Sequence, residues 1–153
     1  MTEHKGKNML SDLKIQEALT EQDLGTVYPV IYQLRDQLSF NTFLDRIIQA
    51  RQGNYRLFSA HLGKRVVGVI GLRIQDDLCW GHNLYIDDLV VEQTLQGKGI
   101  GQALMKFAEN LARSEKCQYV RLASGISKTK AHEFYERLGY HRTSFAFALK
   151  MIG

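Results

Sequence analysis

The chain has a single proline in 153 residues, only two cysteines and no long hydrophobic run. Scarce proline, without repeats or low-complexity segments, excludes collagen-like and proline-rich architectures. Two cysteines, Cys79 and Cys117, are too few for a disulfide-built scaffold. Neither has the spacing of a metal ligand, so no metal is expected, and both read as reduced thiols of a cytoplasmic protein. No stretch reaches the roughly 18 apolar residues that a membrane span requires. Residues 1–12 carry His4, Lys5 and Lys7 without an apolar core, so a polar tail is expected there rather than a secretion signal. Repeats and linkers are also missing, which leaves one expected domain over 13–153. Net charge is +4, but lysine and arginine are scattered rather than gathered into a stripe. That excess suits an anionic small ligand better than nucleic acid.

What is present is a clear alternation of helix and strand patterns. A strand is expected over 13–19. Thr20 followed by Glu21 and Asp23 reads as an N-cap, opening a helix through Leu24, Val27, Tyr28, Ile31, Leu34 and Leu38. Pro29 lies inside it and should disturb it. A second helix carries Phe40, Phe43, Leu44, Ile47 and Ile48 and ends near Gly53. Strands are expected at 55–61 and 65–74, joined by a hairpin at 62–64, and at 84–91. Ile100, Ala103, Leu104, Phe107, Ala108, Leu111 and Ala112 form the cleanest helical stripe in the chain. A strand over 118–123, a helix over 128–138 closed by Gly139, and two final strands over 140–144 and 145–151 complete the order.

Between the strand at 84–91 and the helix from residue 100 lies Gln96-Gly97-Lys98-Gly99-Ile100-Gly101. A glycine-rich turn that opens a helix offers free N–H groups and the positive end of the helix dipole to an anion. It is not a P-loop, because no Ser or Thr follows the lysine. Nor is it the dinucleotide fingerprint, because the glycine spacing is wrong and too little chain follows for the remaining βα units. It fits [QR]-x-x-G-x-[GA], the pyrophosphate loop of the GNAT family of N-acetyltransferases. A second segment, from Ala131 through Phe134, Tyr135 and Gly139 to Tyr140, resembles that family's A-x-x-F-Y-x-x-x-G-[FY]. The element order matches as well, so the resemblance covers 13–153.

The resemblance implies an α/β fold with a mixed sheet of about six to seven strands, helices on both faces and two strands splayed around acetyl-CoA. It implies acetyl transfer to a primary amine by direct attack, through a tetrahedral intermediate. By resemblance, Leu89, Val90 and Val91 line the pantetheine arm. Gln96, Gly97, Lys98, Gly99, Ile100, Gly101 and Gln102 meet the pyrophosphate. Tyr135 protonates the departing thiolate, although its place in a helical stripe also suits core packing. An alkylamine has a pKa near 10, so a base must take its proton. Asp87 and Asp88 are the candidates. As neighbours on a strand they should point to opposite faces, leaving only one for the cleft. Either could instead pair with an arginine such as Arg73 or Arg121. Lys128 stands where many members carry asparagine and is a weaker candidate for the cofactor.

Tyr28, Tyr32 and Arg35 are expected to wall the acceptor site. The chain resembles small-molecule members of the aminoalkylphosphonate type, which favours a small amine as partner. A protein or tRNA acceptor, or a non-catalytic acetyl-CoA sensor, are the alternatives. A basic cleft would indicate acidic acceptors and an acidic cleft polyamines, the deciding residues being Asp76, Asp77, Asp87 and Asp88 against Arg35 and Arg73. A homodimer through the final strands is possible on the same grounds.

Overall fold

A computed structural model describes residues 8–153 of the chain, so most of the tail expected over 1–12 lies outside it. Within that tail Met9–Asp12 forms a 3-10 turn, capped by the Asn8 side chain on the Leu10 amide. The chain divides into two compact units, Met1–Arg121 and Leu122–Gly153.

The first unit holds β1 (Lys14–Glu17), α1 (Glu21–Leu34), α2 (Phe40–Gln52), β2 (Tyr55–Leu62), β3 (Arg65–Asp77), β4 (Gly81–Val91) and α3 (Ile100–Ser114). The sheet order is β1-β2-β3-β4-β5, with β5 spanning Tyr119–Leu122. The pairs from β1 to β4 are antiparallel. β5 follows β4 through α3, the kind of crossover that a mixed sheet uses.

Why these residues form these elements is local chemistry. Thr20 and Asp23 cap each other's backbone in a reciprocal box at the start of α1, and the Ser39 hydroxyl caps α2 on the Thr42 amide. Each satisfies donors that a helix start leaves orphaned. Pro29 is accommodated inside α1, which stops at Leu34, short of the expected Leu38. Helices cover both faces of the sheet. On one face α1 and α2 bury Val27, Ile31, Phe43 and Ile47 against Tyr55, Leu57, Val69 and Val90. On the other, Phe107 of α3 meets Phe58 at 4.8 Å between ring centres, and Ile100 and Leu104 press on Gly68. A Cβ at Gly68 would come within 2.9 Å of Leu104, so glycine lets α3 sit down on β3.

Two features of the sheet differ from expectation. It has five strands rather than six or seven, because 140–153 form no strand. Extended chain becomes strand only where a neighbour accepts its hydrogen bonds, and these residues have no ladder partner among the described residues. The second is a break in the β3–β4 register. Gly71 pairs with Asp88, but Leu72 pairs with Ile86, so Asp87 is an extra residue on β4. This β-bulge decides the geometry of the site.

Candidate active site

The bulge removes the alternation that would have separated the two aspartates. Asp88 faces the side of the sheet shared by Gly71 and Arg73, and Asp87 reaches the same side. Both carboxylates therefore border one cavity under α1 and α2, of about 550 Å³. The expectation that only one could look into the cleft is corrected, because strand alternation holds only where the ladder is regular.

Each carboxylate is held by a guanidinium. Arg73 grips Asp87 with two hydrogen bonds of 2.9 and 2.8 Å, a bidentate pair. Arg35, at the end of α1, donates from Nε and Nη2 to Asp88 Oδ1 at 3.2 and 3.1 Å, and to the Asp87 carbonyl at 3.3 Å. The Tyr55 hydroxyl donates to the other oxygen of Asp88 at 2.7 Å. Burial, then the charge of Asp88, pushes the Tyr55 phenol well above its usual pKa, so it remains a donor at neutral pH.

Tyr55 is a residue that sequence reasoning missed. It opens β2 opposite Arg73, and its ring passes over Gly71 to reach Asp88. A Cβ on Gly71 would lie 2.9 Å from the ring edge and closer still to the phenol oxygen, so only glycine leaves the path open. A glycine inside a strand was the available signal, and β3 holds two, Gly68 and Gly71.

The remaining expected residues are distributed as follows. Of Tyr28, Tyr32 and Arg35, only Arg35 lines the cavity. Tyr28 instead donates to the Leu38 carbonyl at 2.6 Å and packs on Tyr32, Phe40 and Phe43, holding α1 on α2. Asp76 and Asp77 lie away from the cavity. Asp77 accepts from the Trp80 amide and from Asn83 in the β3–β4 turn, with Arg121 at 3.7 Å, and Asp76 pairs with His82. The cavity itself presents Arg35, Arg46 and Arg73 against Asp87 and Asp88.

The cofactor-side residues follow directly along β4. Leu89, Val90 and Val91 end the strand, pairing with Ile70, Val69 and Gly68. β5 has four residues against eleven in β4, and it enters beside His82, where the Gln118 amide meets the His82 carbonyl at 2.7 Å. The edge of β4 toward Val91 therefore extends well beyond what β5 can pair. Gln96, Gly97 and Lys98 are exposed, with the Gln96 amide 3.5 Å from the Val91 carbonyl. Gly97 and Gly99 have φ of 78° and 89°, values that other residues adopt only under strain. Gly99 is the N-cap of α3 and gives it no side-chain cap. The amides of Ile100, Gly101 and Gln102 precede the first helical hydrogen bond, from Ala103 to Gly99, and no acidic residue lies in that turn. This is a bare positive helix end suited to a pyrophosphate.

The second unit contains α4 (Thr129–Arg137). Tyr135 lies on it against Phe134 and Tyr140, at 5.2 and 6.3 Å between ring centres. Burial raises its phenol above the usual pKa, which keeps the proton on the oxygen. Lys128 is the exposed N-cap residue of α4, and its amide donates to the Gly125 carbonyl at 2.9 Å.

Residues 18–140 match the model of the acetyltransferase (GNAT) family. The chain is 32% identical over 133 residues to an aminoalkylphosphonate N-acetyltransferase of Salmonella typhimurium, covering 84% of this chain and 85% of the relative. An uncharacterised N-acetyltransferase of Bacillus subtilis is 27% identical over 137 residues, 88% of this chain and 96% of its own length. Among solved structures, an acetyltransferase of Trypanosoma brucei superimposes with a TM-score of 0.75 at 27% identity, over 92% of this chain and all of the other.

Proposed function

The chain belongs to the acetyltransferase (GNAT) family, and from that premise we propose that it moves an acetyl group from acetyl-CoA to the primary amine of a small molecule. The observation that carries the acceptor reading is the open cavity of about 550 Å³ with both aspartates on its wall. That volume is in the range of small-molecule pockets. Similarity to an enzyme named for aminoalkylphosphonates supports the same reading.

Acetyl-CoA supplies the activated acyl group. The bare amides at the start of α3, with Gln96, Gly97, Lys98 and Gly99 before them, would hold its pyrophosphate, and Leu89, Val90 and Val91 its pantetheine arm. Lys128 is a further, weaker contact. A backbone N–H on the free edge of β4 is suited to meet negative charge developing on the thioester oxygen. The acceptor arrives as an ammonium and must lose a proton before it can attack. Asp87 and Asp88 keep lone pairs beyond those that Arg73, Arg35 and Tyr55 occupy, and one of them takes that proton, directly or through water. Tyr135, protonated at neutral pH, is suited to return a proton to the leaving thiolate.

Two further readings belong to this proposal. The free thiols of Cys79 and Cys117 suit a cytoplasmic enzyme. The working form is a homodimer joined through the C-terminal segment, in which Phe145, Phe147, Leu149, Met151 and Ile152 are each more than 80% exposed. A run of large apolar side chains in water is a contact surface without its partner.

The base is tested by pH–rate profiles of Asp87→Asn and Asp88→Asn. One variant should lose about a hundredfold or more in kcat and the acidic limb of its profile. Its affinity for acetyl-CoA should stay the same. Full activity in both variants would remove the aspartates from the mechanism.

A further inference from the structure

The charges around the cavity do not balance. Three arginines border it against two aspartates. Arg35 is committed to Asp88 and Arg73 to Asp87. Arg46 has neither hydrogen bond nor ion pair among the described residues. It lies on α2, and Phe43, Gln49 and Ala50, its neighbours at i−3, i+3 and i+4, border the same cavity. Arg46 is exposed to solvent, so it stands at the rim of the cavity rather than inside it.

We propose that Arg46 is the specificity residue of the acceptor site, and that the acceptor is a short primary amine whose other end carries an anionic group, a phosphonate, phosphate or carboxylate. The amine end belongs at Asp87 and Asp88, and this part rests on the acetyltransferase reading above. The anion end belongs at Arg46, with the side-chain amides of Gln37 and Gln49 as further donors on the same cavity. The cavity lining also includes the buried apolar residues Ile31, Leu38 and Ile47, which suits a short methylene spacer. A planar guanidinium with all its donors free is matched to an oxyanion, which it can bind with two parallel hydrogen bonds. A polyamine would bring a second cation to this end and meet like charge there. The charge balance therefore answers the choice between acidic acceptors and polyamines in favour of the former.

The test compares acceptors of equal chain length that end in phosphonate, carboxylate or methyl, with the wild type, Arg46→Gln and Arg46→Lys. For the wild type, kcat/KM should favour an anionic acceptor over the methyl-ended amine. Arg46→Gln should cut that preference by about tenfold to a hundredfold, the scale of one charge-assisted pair, chiefly through KM. Arg46→Lys should restore part of it. Phosphonate against carboxylate then identifies the anion. A second readout is independent of turnover. Propylphosphonate and butyrate, which lack the amine, should raise the melting temperature of the wild type and not of Arg46→Gln. Equal loss on charged and neutral acceptors, or protection by these anions that survives in Arg46→Gln, overturns the assignment of Arg46. Acetylation of neutral amines with no preference for anions overturns the substrate class while leaving the acetyltransferase reading in place. Protection by the anions without any acetylation would overturn the acetyltransferase reading and leave the anion site.

Discussion

Tyr55 ties the acidic corner of the cavity to the core, since its ring is buried and its hydroxyl ends on Asp88. Tyr55→Phe should cost about 1.5 kcal/mol in chemical denaturation, the scale of a hydrogen bond to a charged acceptor. The linkage has a definite sign. The folded-state pKa of Tyr55 is raised above the unfolded value of about 10, so its stabilisation is fully present below that pH. It is lost as pH rises toward and through the folded value. Ultraviolet titration should therefore show Tyr55 among the tyrosines that ionise late, and Tyr55→Phe should lower that late amplitude by one phenol. Gly71→Ala acts on the same contact from below. The added methyl collides with the phenol, so we expect lower stability and a loss of acetyl transfer, measured as melting temperature and kcat together. If Gly71→Ala kept both, the Tyr55 path over Gly71 would not matter to the site.

At this scale the sequence told which side chains carry charge and which glycines open a helix. It also anticipated an arginine beside Asp87, since Arg73 was named as a partner. The shared face of Asp87 and Asp88 was hidden, because a bulge depends on how β4 meets β3 rather than on either strand alone. Arg35 and Asp88 meet from 53 positions apart, and no local pattern encodes that contact.

Elements were more legible than contacts. α2 starts and stops where Phe40 and Gly53 indicated, and α3 opens at the expected Ile100. Helix starts are written in short-range hydrogen bonds, and the reciprocal cap of Thr20 and Asp23 is one of them. Thr20→Ala should lower stability by about 1 kcal/mol. Asp23 adds a pH dependence to the cap. Backbone hydrogen bonds from Thr20 and Leu19 lower its pKa, so its stabilisation is complete above the unfolded value of about 3.9. It is lost as pH falls through the folded value. The gap in stability between wild type and Asp23→Asn should then close on acidification, and a gap that stayed constant to pH 2 would contradict the capping geometry. The strands expected over 140–151 did not form, because alternation of Phe145, Phe147, Leu149 and Met151 describes a strand's faces and not its neighbour.

For the whole molecule, those exposed side chains and the fold bear on assembly and activity together. Light scattering should give the mass of a dimer, and replacing Phe145 and Phe147 by aspartate should give a monomer. A wild-type monomer at micromolar concentration would leave the segment without the role proposed for it. The acetyltransferase reading itself rests on a glycine turn, a cavity that carries two aspartates and a protonated Tyr135. The most direct test is release of coenzyme A from acetyl-CoA across aminoalkylphosphonates, amino acids, polyamines, aminoglycosides and peptides, with wild type and Tyr135→Phe side by side. We expect release with small amines that carry an anionic group and a fall of about a hundredfold in Tyr135→Phe, the scale of general-acid catalysis. Binding of acetyl-CoA without release for any small amine, or release with peptides alone, would contradict the account.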